Sequence, residues 1–262
     1  MNIAVAGLGL IGGSFLKASE AAGHSVKAYH HGDRPDLSFA DIVIVAQPPG
    51  AIAPWIRANE AAFKEGAIVV DVCGVKTPLY REFRNSGMGP GARKWHFVPG
   101  HPMAGKEVGG FANSTPDLFK GASMILTPYP YSGRAPLDAL ERYFRSIGFA
   151  RVVYTTPERH DEMIAFTSQL CHIISSAYVR EGLAKDSAGF TAGSFKDMVR
   201  VGAPDPEVWT ELFFENRRPL LEVLSRYIAR LESFRDALEN GSPQALKAGL
   251  QEGVIAKKAI SK

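Results

Sequence analysis

Apolar residues fall in short unbroken runs over the first 154 positions and in helical stripes over the rest. Asn2–Ala6, Ile42–Ala46 and Ala67–Asp71 are near-continuous apolar runs, the pattern of strands buried on both faces of a parallel sheet. Ser25–Tyr29, Trp95–Val98, Ser123–Thr127 and Arg151–Tyr154 read as further strands. Gly13–Ala22, Ala51–Lys64, a segment opening at Thr77-Pro78 and Leu137–Ser146 supply helices between them. Thr77 suits a cap there, and Pro78 the first turn. Strands alternating with helices predict a doubly wound α/β sheet. After Thr155-Thr156-Pro157 the pattern is helical to the end, over 157–182, 206–240 and 242–258.

The first strand runs directly into Gly7-Leu8-Gly9-Leu10-Ile11-Gly12 and then a helix. In that context G-x-G-x-x-G predicts dinucleotide binding. The first glycine turns the chain, the second admits the pyrophosphate, and the third lets helix and strand pack. Residues 1–154 are therefore expected to form a Rossmann-type dinucleotide-binding domain. Gln47, in the Gln47-Pro48-Pro49-Gly50 stretch that stops the third strand, is assigned to the cofactor as well. At the end of the second strand, where an NAD enzyme usually carries an acidic residue, the chain has His30 and His31, with Arg34 close behind. Basic residues there suit a 2′-phosphate and favour NADP over NAD. The alternative is that Asp33 supplies the carboxylate from the loop.

Residues 157–182 are apolar over most of the helical circumference, as for a helix buried on more than one side. A polar stripe of Asp161, Ser168, His172 and Ser175 interrupts that surface, so it should line a cavity or an interface. Residues 155–262 are too few to bury their own apolar surface. They are expected to be an all-helical substrate-binding and dimerisation domain of a homodimer.

Composition narrows the function. The formal charge of +3 is mild and the basic residues are dispersed, which suits small anionic ligands and argues against nucleic acid. The two cysteines show no metal or redox spacing. No signal-peptide pattern and no bilayer-length apolar run is present, which predicts a cytoplasmic protein without membrane contact. A nicotinamide enzyme acting on an alcohol needs a group to take the hydroxyl proton. His101, between glycine and proline after a strand, is the best placed candidate. For His172 two readings stand open, a ligand-facing group with Ser168 one turn before it, or a satisfied core histidine. Lys196 and Arg200 are four apart and share a helical face, and Arg suits a bidentate grip on a carboxylate.

The chain resembles the prephenate/arogenate dehydrogenases, the oxidoreductases of tyrosine biosynthesis. The resemblance is carried by residues 7–14, His101-Pro102-Met103-Ala104-Gly105-Lys106-Glu107, His160-Asp161, Ser168-Gln169-Leu170-Cys171-His172, Phe195–Arg200, Asp205-Pro206 and Trp209. It implies that His101 accepts a hydrogen bond from the substrate's ring hydroxyl and that Glu107 belongs to the active-site polar network. It further implies that His172 meets the substrate side chain and that Arg200 binds the ring carboxylate. The implied reaction is oxidative decarboxylation of prephenate, with arogenate as the alternative substrate; a keto oxygen able to bond His172 favours prephenate. Where the family commonly has serine beside the catalytic histidine, this chain has Gly74. Lys76 or a water is expected to replace that hydroxyl. Two further readings remain. A hydroxyacid dehydrogenase or imine reductase would carry Lys or Asn on the long helix, where this chain has His172. A non-catalytic NADP-binding sensor would bind nucleotide without turnover.

Overall fold

The computed structural model describes residues 1–30, 32–85 and 94–260. Five strands, β1 (Asn2–Ala6), β2 (Ser25–Tyr29), β3 (Ile42–Val45), β4 (Ile68–Asp71) and β5 (His96–Phe97), form a parallel sheet in the order β2-β1-β3-β4-β5. Alternate side chains leave on opposite faces. Ile3, Val5, Ile42, Ile44, Ile68 and Val70 join one core with Phe15 of α1 (Leu10–Ala21) and Leu140, Tyr143 and Phe144 of α4 (Arg134–Ser146). Ala4, Val43, Val45 and Val69 join the other with Ile52 and Ile56 of α2 (Pro49–Asn59) and Leu79 and Phe83 of α3 (Thr77–Asn85). Both faces are covered, so the central runs are apolar at nearly every position. The order reverses at β1, which opens a crevice between the loops after β1 and β3, where such sheets bind ligands.

Two expected strands lie outside this sheet. β7 (Ser123–Leu126) and β8 (Arg151–Tyr154) pair with each other in parallel, and β6 (Gly100–Pro102) joins β7 antiparallel, making a separate three-stranded sheet. The ladder from β4 ends where the Val98 amide bonds the Val69 carbonyl, and Pro99 has no N–H to extend it. The Pro99 carbonyl instead accepts from Thr127, at 2.9 Å. Gly100 lies so close to β4 that a Cβ would meet Met124 Cε at 2.5 Å and Val70 Cγ1 at 3.1 Å.

From Pro157 onward the described residues are helices and connecting turns. The single helix expected over 157–182 is broken into α5 (Pro157–Ile164), a π segment (Ala165–Gln169) and α6 (Leu170–Val179). Met163, Phe166 and Tyr178 are exposed on it in the single chain. α7 (Gly193–Val199) and α8 (Pro206–Glu215) follow. The helix expected over 206–240 stops at Asn216, whose amide turns inward to the Asp161 carbonyl at 2.9 Å and Gln169 Oε1 at 2.7 Å.

Met1–Asn216 form one compact unit and Arg217–Lys262 another. The second is a helical hairpin of α9 (Arg217–Glu239) and α10 (Pro243–Ile260), turned at Gly241 with φ +58° and packed through Gly249 against Phe234. Leu231, Leu238, Val254 and Ile255 stay more than half exposed on it.

The glycine loop offers a test of the packing. A Cβ on Gly12 runs into the Gly7 carbonyl, whereas one on Gly9 meets nothing within 4 Å. In urea denaturation, Gly12→Ala is expected to cost about 1–3 kcal/mol, and Gly9→Ala under about 1 kcal/mol. Equal midpoints for the two variants contradict this reading.

Candidate active site

The nucleotide crevice is built by the backbone. Gly7 turns the chain with φ +100°, and a Cβ on it would collide with the Ala46 carbonyl at the end of β3. The first helical bond of α1 is Gly13 N to Gly9 O, and no side chain caps the N-terminus. The amides of Leu10, Ile11 and Gly12 are therefore free of helical partners, an arrangement that suits phosphate oxygens. Gly9 borders open space. Leu8 and Ile11 turn their side chains against the core, so they offer a cofactor only backbone. Gln47 Nε2 is buried without a hydrogen-bond partner beside Gly7. An orphaned donor and a cradle with no Cβ fit a dinucleotide. Past β2, His30 and Arg34 are exposed, and the Asp33 carboxylate accepts the His30 amide at 2.7 Å. His31 lies outside the described residues.

A chain of proton carriers joins β6 to α5. His101 Nδ1 is 2.9 Å from His160 Nε2, and His160 Nδ1 is 2.7 Å from Asp161 Oδ1. Asp161 also accepts the amides of Lys76 and Thr77, each at 2.8 Å. It therefore caps α3, the part expected of Thr77. Burial opposes ionisation of Asp161, but bonds from His160, Thr77 and Lys76 outweigh it and hold its carboxyl below the ordinary range. An ionised carboxylate only accepts, so His160 Nδ1 carries hydrogen. Burial lowers the His160 pKa against the pull of Asp161, so the ring is neutral and Nε2 is a lone pair. His101 then donates through Nδ1, which leaves its Nε2 as a free acceptor. Burial, His160 and the Lys76 charge hold His101 well below the usual imidazole value. Geometry and electrostatics thus make His101 a proton acceptor at neutral pH.

One expectation about its surroundings changes. Lys76 is not a substrate contact: it is fully buried, its ammonium on Asp71 and, at 2.6 Å, on the Gly100 carbonyl. Gly74 lies beside the His101 ring, where a Cβ would come 3.9 Å from Cε1 and 3.4 Å from Leu212. Packing there admits a side chain.

A second cluster joins residues distant in sequence. Arg200, following α7, pairs with Glu107 at the protein surface. Its own backbone amide and Arg200 hold the Glu107 carboxyl below the usual range. His172 packs against Trp209 with ring centroids 3.8 Å apart and the rings tilted by 43°, and its Nδ1 meets the Val201 carbonyl at 3.0 Å. A carbonyl only accepts, so Nδ1 carries hydrogen. Burial, opposed by that bond and aided by Arg200, keeps the ring neutral. Its free Nε2 is an acceptor and does not suit the keto oxygen expected to bond it. Lys196 is exposed on α7 and Ser168 is half-buried within the π segment.

Residues 10–154 match the family model described as prephenate dehydrogenase, nucleotide-binding domain, and residues 156–252 the one described as prephenate dehydrogenase, dimerization domain. The chain belongs to the prephenate dehydrogenase family. It is 29% identical to the cyclohexadienyl dehydrogenase of Zymomonas mobilis, over 99% of this chain and 96% of that protein. It superimposes with TM-score 0.81 and 26% identity on the Synechocystis arogenate dehydrogenase, covering 99% of this chain and 100% of that one. The prephenate dehydrogenase from A. aeolicus, in complex with hydroxyphenyl propionate and NAD+, gives the same TM-score and identity over 99% and 98%. The α/β-plus-helical fold and the oxidoreductase class expected from sequence are thereby shown. The N-terminal part is a nucleotide-binding domain.

The sequence alone assigned no chemical role to His160 or Asp71, and placed Asp161 only in a polar stripe lining a cavity or an interface. The adjacent His160-Asp161 pair at the start of a helix was the available signal. Its importance emerges only when α5 is laid against the Lys76–Thr77 turn. His101 must be neutral to accept a proton, and its lowered pKa keeps it so above pH 6.5. For the family's dehydrogenase reaction, kcat/KM should be level above that pH and fall only as pH drops through the lowered value. Asp161→Asn should reduce kcat about 10²-fold or more by loosening the tautomer. An acid limb above pH 6.5 contradicts the assignment.

Proposed function

We propose that this chain catalyses oxidative decarboxylation of prephenate to 4-hydroxyphenylpyruvate with reduction of NADP or NAD. The observation that carries the reading is the Asp161–His160–His101 chain, which presents an unprotonated nitrogen at the edge of a dinucleotide crevice. A bound nicotinamide supplies the acceptor for the hydride at the substrate's C4. His101 Nε2 takes the C4 hydroxyl proton, and His160 disperses the charge toward Asp161. The ring carboxylate leaves as carbon dioxide, its bonding pair makes the ring aromatic, and the resulting phenolate recovers the proton from His101. Arg200 holds the ring carboxylate, and Glu107 keeps the guanidinium extended before substrate arrives. The carboxylate needs restraint without excess stabilisation, because only preferential binding of the transition state accelerates the step.

His30 and Arg34, basic and exposed beyond β2, favour NADP. The division of labour falls at residues 154 and 155, with nucleotide bound before it and substrate grip and homodimer contacts after it. The homodimer reading is supported by the dimerization-domain match and by Leu231, Leu238, Val254 and Ile255, which are exposed in the single chain. Arogenate is the second reading, because a neutral His172 with a free acceptor nitrogen suits a side-chain ammonium.

Purified protein with prephenate or arogenate, each with NAD or NADP, tests this by absorbance of the reduced nicotinamide. Prephenate with NADP should give the largest signal. In the same assay Arg200→Ala should raise KM for prephenate about tenfold or more. Silence in all four pairings from protein that binds nucleotide contradicts the reading.

A further inference from the structure

One buried ion pair stands behind the proton acceptor without touching solvent. Asp71, at the end of β4, and Lys76, in the following loop, are both fully buried. Asp71 accepts the Cys73 amide at 3.0 Å and the Gly100 amide at 3.3 Å, and Lys76 donates to the Gly100 carbonyl at 2.6 Å. The pair therefore grips both polar groups of the residue before His101. The Lys76 backbone amide meanwhile donates to Asp161, the carboxylate that orients His160. One residue thus touches both ends of the imidazole chain. Gly100 serves the same clamp, because a side chain there would collide with Met124.

We propose that Lys76 is the positioning residue of the proton-accepting site: clamped by Asp71 and the Gly100 carbonyl, its ammonium fixes the peptide that carries His101 and sets a positive charge behind both imidazoles. The charged and titratable groups around that site come from every packed element. His160 and Asp161 belong to α5, Asp71 to β4, Cys73 and Lys76 to the loop after it, and Glu215 to α8. Burial pushes the Cys73 thiol up to about 12, so it carries no charge. Burial and Glu211 raise the Glu215 carboxyl to about 7, so it titrates near neutrality. The Lys76 charge acts on His101 and His160 and disfavours their protonation. His101 accepts a proton in transit without storing one.

The inference rests on the dehydrogenase reading, and the test separates the two. Turnover of the wild type is measured first; its absence rejects the reading. Lys76→Met, Lys76→Arg and the double variant Asp71→Asn with Lys76→Met are then compared by thermal melting and by the pH profile of kcat/KM, each also in a Glu215→Gln background. The double variant removes both buried charges together, which is tolerated better than leaving one unpaired. In the variants lacking the cation, the acid limb should move up by about one pH unit and kcat should fall about tenfold or more. Lys76→Arg should keep the limb in place while lowering kcat. Folded charge-free variants with limb and kcat unchanged overturn the proposal, as does a limb in Lys76→Arg displaced as far as in Lys76→Met. Should no variant fold, imidazole nitrogen shifts of the wild type decide. A neutral His101 with hydrogen on Nδ1 from pH 6.5 to 8 upholds the proposal, and an imidazolium at pH 7 overturns it.

Discussion

The Asp161 carboxylate holds the site together through three hydrogen bonds made inside the protein. Two come from the backbone at Lys76 and Thr77, and the third from His160 Nδ1. A buried carboxylate left without partners costs several kcal/mol, whereas one supplied with donors on both oxygens stays ionised and rigid. The first two bonds cap α3 of the sheet domain, and the third orients an imidazole on α5. One side chain therefore joins the helical segment to the loop after β4 and fixes a tautomer in doing so.

The acceptor follows from that constraint. The direction of each hydrogen bond is set by the one before it, so the lone pair on His101 Nε2 is dictated from Asp161 outward. The sheet contributes by bringing elements to one edge. The loops after β1 and β3 diverge at the topological switch and open the nucleotide crevice, while Pro99 ends the pairing with β4 and sends Gly100 and His101 back across it. The π segment after Ile164 rotates α6 relative to α5, and such segments often accompany functional sites. It lets Asp161 and Gln169 both turn inward, where Asn216 joins them.

Much of this was legible in the chain. The unbroken apolar runs announced a sheet covered on both faces, because no position on β3 or β4 escapes burial. Gly7 and Gly12 announced the crevice, because their backbone environment leaves no room for a Cβ. The separate sheet of β6, β7 and β8 was not legible, since strand periodicity carries no information about partner or direction. Lys76 was misread for a related reason: a lysine after a strand looks exposed, and only Asp71 and Gly100 brought close in space account for its burial. His160 stood in plain view beside Asp161, but a histidine's role depends on the neighbours of both nitrogens, and these come from β6 and α5. Leu231, Leu238, Val254 and Ile255 stay exposed in the single chain, in line with the expectation that residues 155–262 are too few to bury their own apolar surface.

The most direct measurement of the central claim is the single-turnover rate of His101→Asn with prephenate and saturating nucleotide. Asparagine keeps a polar side chain of similar reach but cannot take up a proton at neutral pH. A fall in rate of about 10²–10⁴-fold, with nucleotide affinity unchanged, is the predicted result. A rate within a few-fold of wild type would show that the proton goes elsewhere and that the Asp161–His160–His101 chain is scaffolding alone.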